Sequence, residues 1–582
     1  MKEKTKNHNF TRTIFMRLWF PELISALGLA LADMADALVL GRRMGSVGLA
    51  AIGLCLPLYM LMNLIMHGLG LGGSTFFSRY LGEGDEDRAK KSFKDTICPA
   101  IILGVILAVV GNIFVNPLLR LFGTVPADGA LFDAARNYSR IIIAAIPIYF
   151  LNFILNYFMR NDNKQTIATI GFTVANILDV VLNIVFVLVF DWGTTGAALA
   201  TLIGQVTAVL IYLPTLLSKK NKFICIPKGA INLKNTFRYF KNGLSVSVQY
   251  ICQFIFLLVI NNVLLKNEGE DGVAVFELLQ SVSFLVYYIF NAASKAMQPL
   301  LSTYNGESNE KEIFHTRRIG FIGGMVSGGL LIAFIAVFPS LVCTLFGLTE
   351  SSIIPLATRA IRIYCVSAIF AGLSTLIENY YQSCSLEKNS FVIALLRGTI
   401  ILIPCTLIFA TLGVKIIWYF YPVTEIASLL FFGLWLVIAG ERMHITDRKK
   451  FVYEIENTNN EISGLSEAVC AACEEWGAPQ KICFFSGMAA EEICLAIKEH
   501  NASNDQEEPV YIQITTVCRS NGNIELHFRD NGISFNPLLL NSGKVNEEDF
   551  DEAAMGMIVV KKQAKDFLYR KYVGFNTISI NI

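Results

Sequence analysis

Twelve apolar runs, each long enough to cross a bilayer, set the limits on what this chain can become. They fall at roughly 14–40, 48–78, 96–118, 138–158, 166–190, 194–217, 238–265, 273–300, 319–346, 355–382, 390–412 and 416–440. A helix needs about 20 such residues to span the hydrocarbon layer. Lipid offers the backbone no hydrogen-bond partner, so the runs must be helical. With 54% of its 582 residues hydrophobic and 16% charged, the chain is not a soluble domain, and no nucleic-acid partner is expected. The first run is longer than a signal-peptide core and no small-residue cleavage pattern follows it, so it is expected to stay as a span. The 13 cysteines show no disulfide framework, and Cys470 and Cys473 form a lone C-x-x-C that reads as thiols on a helix.

Cations sort by loop. Arg79, Arg88, Lys90, Lys91 and Lys94 follow the second run, Arg160 and Lys164 the fourth, a dense group from Lys219 to Lys241 the sixth, and Lys311, Arg317 and Arg318 the eighth. By the positive-inside rule these loops are cytoplasmic. Both termini are then inside a plasma membrane, with Arg42 and Arg43 as the exception on the opposite side.

The chain repeats itself at an offset of 224, which lays "SRYLGEGD" (78–85) over "STYNGESN" (302–309) and "LFG" (121–123) over "LFG" (345–347). Six spans are duplicated. An even number per unit puts both copies into the membrane in the same sense, related by an axis along its normal, with a cleft between them. The expected divisions are an N-lobe at 1–217, a cytoplasmic linker at 218–241, a C-lobe at 242–440 and a cytoplasmic tail domain at 441–582.

Ionisable groups inside spans are costly and should face protein or water. Asp33 and Asp36 lie three apart in the first run, on one helical face. Asn176, Asp179 and Asn183 share a face of the fifth. Carboxylates flanked by amides can hold a proton when desolvated or offer oxygens to sodium, so these five form the expected ion-coupling site. In the second lobe, Gln249, Gln253, Glu277, Glu378 and Glu425 are the polar residues placed to attract a cationic substrate.

From "DALVLGRRMGSVGLAAIGLCLP" through "GLGLGGSTFFSRYLGEGD", "IPIYFLNFILNYFMRNDN", "NILDVVLNIVFVLVFDWGTTGAALATLIGQ" and "MQPLLSTYNGESN", the order and spacing resemble the multidrug and toxic compound extrusion (MATE) transporters. The resemblance implies a V-shaped, all-α, twelve-helix exporter of organic cations driven by H+ or Na+, with Asp36 at the family's first-helix acid. Two features depart from the family. Asp179 precedes Asn183, where the family often has Asn before Asp, and no proline lies between Glu22 and Leu40, so a proline-bend mechanism does not carry over.

From Asp447 onward the composition changes, with 21 acidic against 13 basic residues, a net charge of −8 that leaves +9 on 1–446. Helical patterns at 461–477 and 486–500, then alternation in "VYIQITTVC", "NIELHFRD" and "YVGFNTISINI", predict a soluble α/β two-layer domain. "AAEEICLAIKEH", "DNGISFNP" and "AAMGMIVVKK" resemble, in order, segments of the ATP-binding fold of histidine kinases and anti-sigma-factor kinases. That resemblance implies Glu492 as the acid of the nucleotide-site helix, Asp530 as acceptor of the adenine amino hydrogen, Gly532 as the point of close backbone approach and Gly556 in the glycine-rich segment. The asparagine expected to hold magnesium is Ala496, and the first glycine of the last segment is Ala554. Alanine offers a hard metal no oxygen, so the expectation is a binding or regulatory domain without catalytic residues, either sensing ATP or another nucleotide or wholly degenerate.

The sequence therefore predicts an antiporter exporting small organic cations from lipid-embedded lobes, with no enzyme activity. Its tail would sense nucleotide or bind a cytoplasmic regulatory protein. A lipid-linked saccharide flippase or a receptor signalling through the tail are the competing readings.

Overall fold

The computed structural model describes residues 10–82, 85–162, 164–218, 224, 227, 230–307, 309–412, 414–439, 449–456, 458–502, 510–519, 522–534, 536, 552–572 and 575–582. Much of the basic linker, including Lys219, Lys220, Lys222 and Lys228, and the side chains of Asp33 and Ala554 lie outside the described set.

In the first half, α1 (Phe10–Gly82) is followed by α2 (Glu86–Ile113), α3 (Val115–Phe122), α4 (Ala130–Asn161), α5 (Gln165–Asn183) and α6 (Gly193–Leu217). In the second, α7 (Leu233–Gly306) is followed by α8 (Glu310–Val337), α9 (Pro339–Leu345), α10 (Ile353–Ser383), α11 (Glu387–Leu395), α12 (Leu402–Leu412), α13 (Val414–Ile417) and α14 (Phe420–Ala439). The 224-residue repeat is structural: α2 and α8 are both 28 residues long, begin 224 apart and are capped by Asp85 and Asn309. Short π-helical segments, Ile184–Val189 and Leu396–Ile400, follow α5 and α11.

Eleven stretches among the described residues are long and apolar enough to cross a membrane, one fewer than expected, because the seventh and eighth runs merge into Gln249–Asn305, 57 residues long. At 1.5 Å per residue that stretch reaches about 85 Å, far beyond one bilayer. Gly269 interrupts it at φ 64, ψ −151, and Gly45 interrupts α1 at φ 62, ψ −139. Both conformations are closed to a residue with a Cβ. Elsewhere a small residue brings the lobes together: a Cβ on Gly72 would stand 1.9 Å from the Tyr239 carbonyl oxygen. Outward faces are apolar, as on α2, where Ile102, Val105, Ile106 and Val109 are exposed, the surface lipid requires.

The tail folds as one antiparallel sheet, β1 (Lys450–Glu456), β2 (Tyr511–Cys518), β3 (Ile524–Asp530), β4 (Asp566–Tyr572) and β5 (Phe575–Asn581), in the order β1-β2-β3-β5-β4. Helices α15 (Asn459–Glu475), α16 (Gln480–Ala502) and α17 (Glu552–Gln563) complete it. Ile512, Ile514, Leu526, Phe528, Ile578 and Ile580 join Leu465, Val469, Ile493 and Ile497 in a core separate from the membrane one. The sequence pattern does not disclose β1, and α16 starts six residues before the expected 486. Cys470 and Cys473 are free thiols on α15.

Candidate functional site

The N-lobe site is built where α5 gives way to its π-helical segment. Asn183, fully buried, ends α5. Its Nδ2 donates to Asp36 Oδ1 on α1 and to Asp179 Oδ1 one turn back, the latter at 3.2 Å. The Asn183 Oδ1 is buried without a partner among the described residues. Tyr138 on α4 reaches Asp36 Oδ2 with its hydroxyl at 3.5 Å and meets the Tyr59 hydroxyl at 2.9 Å. π-Segments occur frequently at functional sites because the displaced backbone re-aims a side chain. Three of the five expected residues, Asp36, Asp179 and Asn183, thus converge. Among the described residues Asn176, although on the same helix, makes no hydrogen bond to them, and the Asp33 side chain lies outside the described residues.

Two carboxylates drawing on one amide leave a local excess of negative charge in a desolvated place. A proton or a cation would offset such an excess.

The C-lobe residues are arranged differently from expectation. Glu425 on α14 does not stand open to a substrate: Arg397, in the π-helical segment after α11, donates Nε to its Oε1 at 2.7 Å, and Ser374 donates to its Oε2 at 3.3 Å. Arg397 Nη1 also donates to Thr375 Oγ1 at 3.0 Å. Glu378, on the same helix α10 as Ser374, lies within electrostatic range of Arg397. Sequence reading missed Arg397, although a lone arginine inside the apolar run 390–412 is the kind of signal that marks a partner for a buried acid. Each lobe therefore gathers its polar cluster at the π-distorted helix of its own repeat.

Glu277 stands apart from that cluster. It is 5% exposed, its Oε2 has no partner among the described residues, and it faces Gly53 of the N-lobe, near enough to Asp36 for the two charges to interact. Gln249 and Gln253 are exposed on α7, and among the described residues neither hydrogen-bonds to these acids.

In the tail, Asp530 ends β3 and is 1% exposed. Its Oδ1 accepts from the Gly532 amide at 2.9 Å and Asn576 Nδ2 at 2.8 Å. Its Oδ2 is buried with no partner among the described residues. Burial pushes the carboxyl up to about 6, against the pull of those two donors. An orphaned acceptor that is otherwise held rigid fits an exocyclic amino group. Asn501, a residue the sequence did not flag, accepts from the Ile533 amide at 2.8 Å and would clash with a Cβ on Gly532. A Cβ on Gly556 would meet Glu492 Oε2 at 1.9 Å, so the two expected residues are in contact. Ala496 is buried in the core and offers no ligand atom. The residues present fit a nucleotide base and lack the magnesium asparagine.

The internal repeat, the eleven membrane-length stretches among the described residues and the buried acids define a multi-pass membrane transporter. The chain belongs to the MatE family, which it matches at residues 21–185 and 243–408, and residues 455–582 match the histidine kinase-like ATPase domain. It is 24% identical over 426 residues to the probable multidrug resistance protein YoeA of Bacillus subtilis, covering 70% of this chain and 90% of that protein. It is 22% identical over 444 residues to the multidrug export protein MepA of Staphylococcus haemolyticus, covering 76% and 96%. Among solved structures, the inward-facing conformation of a multidrug resistance MATE family transporter of the MOP superfamily aligns with a TM-score of 0.62 at 22% identity, over 73% of this chain and 99% of that one. The MATE multidrug transporter DinF-BH, solved in complex with a dye, aligns at 0.57 and 23% identity, over 75% and 98%.

Proposed function

We propose that this chain is an antiporter that exports small organic cations across the plasma membrane in exchange for H+ or Na+, with both termini cytoplasmic. The observation that carries the reading is the pair Asp36 and Asp179 joined through Asn183. A cation taken up there removes the repulsion between the two acids, and its release restores it. The lobe arrangement that binds the ion better is the one it favours, by the difference in affinity. The relatives named as multidrug exporters, and the structural neighbour solved with a dye, support a small organic substrate. With Glu425 held by Arg397, the acids left to draw a cation inward are Glu378 and Glu277.

The tail is the nucleotide-sensing part. Asp530 and Gly532 recognise a base, Glu492 packs on Gly556, and without a magnesium ligand at Ala496 the domain binds without transferring phosphate. The flippase reading needs free cationic groups for lipid phosphates, whereas Arg397 is already paired inside the bundle.

The test is uptake of a fluorescent organic cation into inverted vesicles under imposed proton or sodium gradients. Uptake should follow one gradient and vanish in Asp36→Asn with membrane insertion unchanged. Normal uptake in that variant would sink the assignment.

A further inference from the structure

The part of the tail sheet's outer face around Gln513 and Arg529, which in a free two-layer domain would meet solvent, is buried where it meets the membrane lobes. Register places Glu454, Gln513 and Arg529 side by side across β1, β2 and β3. Gln513 Nε2 donates to Glu454 Oε1 at 2.8 Å, and its Oε1 accepts from Arg529 Nη1 at 2.7 Å. Arg529 is 6% exposed, and its Nη2 donates to Glu307 Oε1 at 2.9 Å. Glu307, 4% exposed, caps the end of α7 in the loop leading to α8. The guanidinium also lies 4.8 Å from the centroid of the Tyr304 ring. At the rim Lys450 pairs with Glu310 at 3.5 Å, and Tyr511 packs on the membrane core.

Tyr304 joins three parts of the molecule. Its ring carries Arg529 of the tail, its backbone belongs to α7 of the C-lobe, and its hydroxyl lies 2.7 Å from Thr11 Oγ1 in the first turn of α1. Thr11 also donates to Glu312 of α8. The tail therefore sits where the first helix of one lobe meets the inner loop of the other. A buried ion pair flanked by a ring and a satisfied amide is a specific contact, since either charge left alone there is strongly disfavoured.

Arg529 and Asp530 are consecutive on β3, so their side chains leave opposite faces of the sheet. One holds the transporter and the other presents the orphaned oxygen of the nucleotide site. We propose that the tail is an intramolecular clamp on the inner ends of the two lobes, closed by Arg529 on Glu307 and Tyr304, and that an adenine nucleotide at Asp530 tightens it. The tightening rests on the nucleotide-sensing reading of the tail; the docking contact does not. In the docked arrangement Asp530 is already oriented by Gly532 and Asn576. A nucleotide complementary to that arrangement favours it, and by reciprocity docking raises nucleotide affinity.

The experiment uses the full chain in lipid nanodiscs, reading amide hydrogen exchange at 302–312 and in the first turn of α1 together with binding of a fluorescent ATP analogue. Glu307→Arg, which sets like charges together, should speed exchange in both segments and weaken analogue binding by about five- to tenfold. The exchanged pair Glu307→Arg with Arg529→Glu should restore both, which separates loss of the contact from misfolding. Asp530→Asn should abolish analogue binding and leave exchange in the nucleotide-free protein as in wild type. Unchanged exchange in Glu307→Arg overturns the clamp. Exchange that responds as expected, with no analogue bound by any variant, supports the docking contact and overturns the nucleotide reading.

Discussion

Gly45 and Gly269, 224 residues apart, hold the same backbone conformation, φ 62, ψ −139 in one and φ 64, ψ −151 in the other. Each turns a helix back at the same point of its repeat, and just beside them Ser46 Oγ donates to Glu270 Oε1 across the lobes at 3.4 Å. Neither position lacks room, since no atom lies within 4 Å of a Cβ built there, so the demand for glycine is conformational. Gly45→Ala and Gly269→Ala should each cost about 1–3 kcal/mol of backbone strain, read as a lower unfolding temperature in detergent. Gly28→Ala, with open space and helical backbone, should be neutral or stabilise by up to about 1 kcal/mol.

Asn183 is the amide that donates to both N-lobe acids. Asn183→Ala should reduce gradient-driven efflux by about tenfold or more, since the lost bonds are made to charged groups worth roughly 1.5–3 kcal/mol each. Tyr138→Phe removes from the acids only a 3.5 Å contact, at the limit of a hydrogen bond, along with the 2.9 Å contact to the Tyr59 hydroxyl, and should lower efflux by no more than about threefold. Equal losses in the two variants would place the site's support elsewhere.

The contrast between the lobes shows what the sequence could and could not disclose. The repeat, the spans and the shared face of Asp179 and Asn183 follow from periodicity and spacing, which act along one helix or between copies of a unit, whereas the meeting of Asp36 with Asn183, 147 residues away, is expected only because acids buried in a membrane seek polar partners. The pairing of Arg397 with Glu425 joins residues 28 apart on separate helices. The docking of Arg529 on Glu307 joins residues 222 apart. No local pattern carries contacts of that kind. Asn176 illustrates the converse: helical spacing put it on the face of Asp179, yet the neighbouring helices leave it outside the cluster.

Arg397 and Glu425 offer a test of structure against transport. Arg397→Met alone leaves Glu425 buried with Ser374 as its one remaining donor among the described residues, and the cost of an uncompensated buried charge is about 3–5 kcal/mol. Replacing both partners, Arg397→Met with Glu425→Gln, should recover most of that loss, because apolar or neutral isosteres often match a buried ion pair. Thermal unfolding of the four members of the cycle gives the coupling directly. Efflux retained in the double variant would show that Glu425 serves the packing of α10, α11 and α14 and does not contact the substrate.

The tail site predicts a dependence on pH. Burial raises the Asp530 carboxyl to about 6, from an ordinary value of 3.8. Between those values the folded empty domain holds more protons than the unfolded chain. Its stability therefore falls as pH rises from about 4 through 6, by roughly 3 kcal/mol in all at 1.36 kcal/mol per unit. An adenine amino group donates only to an acceptor, so nucleotide is bound by the ionised form and offsets the cost of keeping that form buried. Affinity for a fluorescent ATP analogue should therefore be low at pH 5, climb by up to about tenfold per unit toward pH 6, and level off above pH 7. Asp530→Asn should remove both the affinity and the slope. Affinity flat from pH 5 to 8 in the wild-type protein would mean that the base is not held at Asp530, whatever else in the tail binds the phosphates.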